Sequence, residues 1–222
     1  MKKSLFFNNK IIMKNIFILF CLFLSFLGYS QSKQIFENPQ LKTIIGQHKI
    51  VAILPYKISI TYKKQPKNFN AEANRDQEKS MSNSIQASMY TFLLRKREDY
   101  NVSFQDVDKT NILLKKAGML DKLDEYTKDE IAKALGVDGI IGGTFETEQT
   151  KSEAGAIVSA VLFGGFGGET GTGTLTMTLN NGTDGELLWR FFKTMDQGLT
   201  SSTDDLVESM MRKVARNFPY TI

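Results

Sequence analysis

From Ile50 onward, the order of apolar and polar residues predicts one element after another. Ile50-Val51-Ala52-Ile53-Leu54 is an unbroken apolar run ending at Pro55, the pattern of a strand covered on both faces. Ile58, Ile60 and Tyr62 then alternate with Lys57, Ser59, Thr61 and Lys63, which predicts a half-exposed extension before the polar stretch 64–73. From Arg75 to Arg97, the residues Met81, Ile85, Met89, Phe92 and Leu93 share one face of a long amphipathic helix. Val102 and Phe104 predict a short strand, and Val107 to Ala117 a second helix closed by Gly118. Thr127 and Glu130 have the spacing of a capping box, ahead of a helix in which Ile131, Ala134 and Leu135 follow and which ends at Gly136.

Val137 to Phe145 reads as a second buried strand, in which Gly142-Gly143 marks a close backbone approach or a bulge. Leu175, Met177 and Leu179 alternate with Thr174, Thr176 and Thr178, Asn180 to Gly185 supplies turn residues, and Leu187 to Phe192 runs back as the second arm of an antiparallel hairpin. Leu187, Trp189 and Phe191 are expected to share one core with Ile53 and Ile140. Ser202 caps the last helix with Asp205 at its third position, and Val207, Met210, Met211, Val214 and Phe218 line one side until Pro219. Helices between the early strands call for parallel crossovers, and the contiguous late strands call for antiparallel pairing. The fold expected is α/β: a single three-layer domain, a mixed sheet with helices on both faces, and an antiparallel C-terminal hairpin followed by a C-terminal helix.

Upstream of Ile50 the pattern differs. Lys2, Lys3, Lys10 and Lys14 accompany an apolar run from Ile16 to Leu27, and Gly28-Tyr29-Ser30 offers a small-residue cleavage site before Gln31, which predicts a secretory signal over residues 1–30. The run is shorter than the ~20 residues a helix needs to cross a bilayer. Met13-Lys14-Asn15 also opens a compact signal, so starts at Met1 and at Met13 both satisfy the pattern. Residues 31–48 are polar with weak periodicity and are expected as a lead-in to the domain 49–222.

Removing the signal changes the chemistry available. The chain has 28 basic and 24 acidic residues, and the signal takes four lysines and no acid, leaving 24 against 24. A neutral domain lacks the net basic face that neutralises phosphates, so nucleic-acid binding is not expected. Cys21, the only cysteine, lies inside the signal, and the bulky Phe20 before it argues against lipidation there. No thiolate nucleophile or cysteine metal site remains. His48 is the only histidine; without a Gly-x-Ser-x-Gly elbow, its context Gly46-Gln47-His48-Lys49 reads as the solvated start of a strand. Asp121, Asp124, Glu125, Asp129 and Glu130 cluster, yet they flank helix ends where acids favour the dipole and water. No catalytic, cofactor-binding or metal-ligating residue, and no cofactor, is expected.

Three short stretches carry a resemblance: Lys49-Ile50-Val51-Ala52-Ile53-Leu54-Pro55, Ala134-Leu135-Gly136-Val137-Asp138-Gly139-Ile140-Ile141-Gly142-Gly143, and Gly185-Glu186-Leu187-Leu188-Trp189. In them the chain resembles a group of envelope proteins that includes the curli secretion channel subunit (CsgG-like), the outer-membrane lipoprotein activators of penicillin-binding proteins and the TolB amino-terminal domain. The resemblance implies the fold, an envelope location and a non-catalytic scaffolding or accessory role, and it carries over no catalytic residue. One departure is that those lipoproteins have a lipidated cysteine at the mature amino terminus, where this chain has Gln31.

Ala154 to Gly173 stands apart in composition. Ala156 to Phe163 is apolar save for Ser159, and Gly164, Gly165, Gly167, Gly168, Gly171 and Gly173 follow with a spacing that matches no phosphate-binding loop. One reading is a buried excursion that packs on the domain. The other is an interaction segment that meets a lipid surface or a second copy, with Ala156, Ile157, Val158, Val161, Leu162, Phe163 and Phe166 as candidate contacts. The expected function is that of an exported, non-catalytic envelope protein acting in binding, scaffolding or assembly, in the periplasm, at the outer-membrane periphery or outside the cell. Its expected partner is an unidentified envelope protein or a second copy, with peripheral membrane contact. The alternatives are a small periplasmic hydrolase working through carboxylates and a structural homo-oligomer built through 154–173.

Overall fold

Local chemistry sets where most elements start and stop. The computed structural model describes residues 33–67, 69–149, 171–196 and 203–222. In it β1 (Lys33–Glu37) and the short α1 (Leu41–Ile45) precede β2 (Ile50–Ile53), and β3 (Lys57–Tyr62) resumes beyond Pro55. α2 (Ala71–Arg95) begins earlier than its apolar face suggested, because the Asn70 side chain accepts the Glu72 and Ala73 N–H groups at 2.9 and 3.1 Å. After β4 (Ser103–Phe104) comes α3 (Val107–Lys116), capped by Asp106, which accepts the Lys109 N–H at 2.9 Å. The capping box at Thr127 and Glu130 forms and opens α4 (Lys128–Leu135), which buries Ile131, Ala132 and Leu135. β5 (Gly139–Gln149), β6 (Gly171–Asn181), β7 (Leu187–Asp196) and α5 (Thr203–Val214) complete the order.

The strands form one seven-stranded mixed sheet in the order β1-β7-β6-β5-β2-β4, with β3 also on β5. β5 takes β2 and then β3 in parallel along one edge and β6 antiparallel along the other, from Gly139↔Asn181 to Gln149↔Gly171. Lys33–Ile222 makes a single unit with the expected mixed α/β architecture. The stretch 31–48 is more than a lead-in, since Lys33–Glu37 pairs antiparallel with β7 and α1 buries Leu41 and Ile45. An edge strand half in water needs few apolar residues, so its periodicity was weak. The signal over 1–30 and the Ser202 cap lie outside the described residues.

Alternate residues of the central strands feed opposite layers. Val51, Ile53, Ile141 and Phe145 join the core under α2 and α5 with Trp189, whereas Ala52, Leu54 and Ile140 join the core under α3 and α4. Ile140 therefore faces away from Trp189, contrary to expectation, and its neighbour Ile141 takes the shared place. Leu188 rather than Leu187 is buried beside Trp189 and Phe191, because the β6–β7 register shifts at Leu179/Asn180 and inserts an extra residue. Gly142-Gly143 is a close approach with unbroken register. A Cβ on Gly143 would collide with the Thr176 carbonyl oxygen and lie 2.8 Å from Tyr56 Cε1.

Trp189 is fully buried, stacked on Phe191 with centroids 6.0 Å apart and edge-on to Phe218 at 6.3 Å. Trp189→Ala is expected to lower stability by roughly 3–5 kcal/mol, read by urea melts. A variant that melts with the parent would show that the ring does not hold the core.

Candidate functional site

Gln149 and Gly171 are the last paired residues of β5 and β6. Residues 150–170 connect them, and of the segment 154–173 singled out by composition, Gly171 to Gly173 belong to β6. The segment's candidate contacts, Ala156, Ile157, Val158, Val161, Leu162, Phe163 and Phe166, lie outside the described residues. What the structure establishes is that Gln149 and Gly171, which flank residues 150–170, lie side by side at the end of an antiparallel ladder of 11 residue pairs.

A second feature sits at the carboxyl end of β2. From there the chain reaches β4 through α2 on one face and returns to β5 through α3 and α4 on the other, a reversal that leaves a crevice where the helices diverge. The crevice has a volume of about 530 Å³, with Tyr56, Asn83 and Gln86 on one side and Val107, Asn111 and Leu120 on the other. Glu78, Ser82 and Gln86 lie four apart on one stripe of α2, and each serves a backbone group of the β2–β3 segment. The Ser82 hydroxyl donates to Tyr56 O at 2.6 Å, Gln86 Nε2 donates to Ile53 O at 2.7 Å, and the Ile60 N–H donates to Glu78 Oε1 at 2.8 Å. Gln86 and Asn111 exchange amide hydrogen bonds at 3.1 and 3.0 Å, which ties α2 to α3. β4 pairs only with Ile50 and Val51, so these side chains stand in for the rest of a strand. On the rim, Lys79 meets Asp121 at 2.9 Å. The clustered acids disperse into contacts of this kind, with Asp124 on Lys57 at 3.6 Å and Glu130 in the capping box.

His48, at the start of β2, is buried rather than solvated. Its Nδ1 is 2.6 Å from the Tyr220 hydroxyl and its Nε2 is 3.3 Å from Asn181 Oδ1. An amide oxygen only accepts, so Nε2 carries the proton and Tyr220 donates to Nδ1. Burial lowers the His48 pKa, and the Asn181 bond and nearby Asp138 only partly oppose it. A Cβ on Gly139 would lie 2.8 Å from the Tyr220 hydroxyl, so glycine there lets the pair close. Asp138 accepts the Lys49 and Ile50 N–H groups at 2.8 and 2.9 Å. Burial pushes its pKa up, but these two bonds, with His48 and Lys49 nearby, hold it below the usual carboxylate range. Both imidazole nitrogens are thus engaged, Nδ1 with the C-terminal segment and Nε2 with the end of β6, and the Asn101 N–H also donates to Tyr220 O at 3.2 Å.

No family model and no curated protein matches the chain. It is similar in structure to lipoprotein GNA1162 from Neisseria meningitidis, with 13% identity, a TM-score of 0.42, and 76% of this chain and 98% of that one covered. It is also similar to the PelC dodecamer from Paraburkholderia phytofirmans, with 14% identity, a TM-score of 0.38, and 86% and 99% covered. A third is the LpoB C-terminal domain from Salmonella enterica, with 10% identity, a TM-score of 0.33, and 72% and 94% covered. At these values the chain paths overlap only loosely. No helix among the described residues is long and apolar enough to cross a membrane.

The stripe Glu78, Ser82 and Gln86 was not singled out in the sequence, although its signal is there: polar residues that recur every fourth position against the apolar line of Met81, Ile85 and Met89. Gln86→Leu is expected to lower stability by roughly 1–3 kcal/mol, because Ile53 O and Asn111 lose their partner; urea melts at neutral pH check it. A pH dependence follows from His48. Its folded pKa lies below the unfolded value of ~6.5, so the unfolded chain takes up the proton first. Stability is full above that pH, falls as pH drops through it, and levels off below the folded pKa. Melts between pH 8 and pH 5 are expected to show this segment in the parent and not in His48→Asn.

Proposed function

We propose that the chain is an exported, non-catalytic component of the cell envelope that binds or assembles with a partner through residues 154–170, the part of the glycine-rich segment that precedes β6. The observation that carries this reading is the pairing of Gln149 with Gly171. Two residues suffice to close such a hairpin, yet 21 residues, 150–170, lie between its arms. Hairpin connections are usually about two to five residues, and an insertion of this length points to a task of its own. This one is apolar and rich in glycine, a composition suited to a surface that is covered when its partner is in place. The basic and apolar pattern of residues 1–30 supports export, and the short resemblances at 49–55, 134–143 and 185–189 support the envelope.

Replacing residues 150–170 by Asn-Gly tests the reading. The variant is expected to keep the parent's melting temperature while moving from the envelope fraction of fractionated cells to the soluble one. A loss of several kcal/mol would instead mark the segment as a buried excursion, given ~0.8 kcal/mol per methylene taken from water. A stable variant that still sediments with the envelope would reject the binding role.

A further inference from the structure

β1 is an edge strand whose outer backbone groups no described strand takes. The Asn38 N–H donates to Leu188 O at 2.8 Å, which continues the β1–β7 register past Glu37↔Trp189. Backbone groups alternate in direction along an antiparallel strand, so Gln34 and Phe36 bond toward β7 while Lys33, Ile35 and Glu37 present their N–H and C=O groups outward. β1 ends the strand order, and among the described residues nothing pairs with that edge. The β2–β3 edge is served by Glu78, Ser82 and Gln86. Among the described residues β1 has no such cover; it contains no proline, glycine or bulge, and its two charges, Lys33 and Glu37, stand at its ends.

We propose that two copies associate by antiparallel pairing of β1 with β1 about a two-fold axis at Ile35, which joins their sheets edge to edge. Charge order decides the direction. Lys33-Gln34-Ile35-Phe36-Glu37 laid antiparallel on itself sets position 33 opposite position 37, a lysine against a glutamate, and the two-fold repeats the pair. Parallel in-register pairing sets like charge against like. The same centring aligns the outward-bonding residues 33, 35 and 37 with 37, 35 and 33 of the other copy, as an antiparallel ladder requires. Phe36, 47% exposed, comes to lie opposite Gln34 of the second copy. Five residues a side bury less than the ~1,200 Å² of stable interfaces, so the dimer forms at high concentration. This surface is separate from 154–170 and goes beyond the binding role proposed for that segment.

Sedimentation equilibrium of the purified protein from roughly 10 µM to roughly 1 mM is expected to show the mass rising from one chain toward two. Glu37→Lys sets like charges opposite and should hold the mass at one chain, and adding Lys33→Glu should restore the dimer. The variant with Asn-Gly in place of 150–170 should dimerise like the parent, which separates this contact from any made by that segment. A parent that stays at one chain throughout, a Glu37→Lys variant that still dimerises, a folded double variant that does not recover, or a dimer lost with 150–170 overturns the proposal.

Discussion

β5 bonds on both edges over most of its length, and the rest of the domain is arranged around that requirement. One edge takes two parallel strands in succession and the other takes β6 without a break. The switch from β2 to β3 at Pro55 puts the Tyr56 ring against the β5 backbone, where only Gly143 leaves room for it. The Tyr56 hydroxyl in turn lies 3.6 Å from Met89 Sδ on α2. A side chain at position 143 would therefore displace Tyr56 and disturb the packing of α2 over the sheet.

The break at Pro55 leaves backbone groups that no strand covers, and an unpaired buried carbonyl or N–H costs about as much as a lost hydrogen bond. α2 meets this with a polar stripe beside its apolar one. That is why a helix at the centre of the fold carries Gln86 fully buried next to Ile85. The crevice between α2 and α3 is a consequence of the same reversal of chain direction, and the amide pair of Gln86 and Asn111 spans it. At the other end of β2 the Tyr220–His48–Asn181 chain does comparable work, fastening the C-terminal segment to the first central strand. His48 and Tyr220 are 172 positions apart, and nothing near either residue marks the other.

Much of this was legible in the residues. The apolar run at Ile50, the four-and-three spacing along α2, the capping box at Thr127 and the threonine-alternating strand at Leu175 each report a local preference that packing reinforces. The candidate segment 154–173 was equally plain from composition, and so was the turn that precedes Leu187. Less legible were contacts whose partners lie far off in sequence: β1 on β7, His48 under Tyr220, and the service that Ser82 and Gln86 give to Tyr56 and Ile53.

The sequence by itself determined the element order from β2 onward, the mixed sheet and the two-sided burial of β2, because periodicity records which faces of a strand or helix must leave water. Tertiary structure alone decided which layer each residue joined. The one-residue shift at Leu179/Asn180 brought Leu188 into the core, and the parity of β5 sent Ile140 and Ile141 to opposite cores. It also decided that Gln149 and Gly171, far apart in sequence, pair at the end of the β5–β6 ladder. Register depends on pairing between strands far apart in the chain, and a shift of a single residue reverses every face, so no local pattern encodes it.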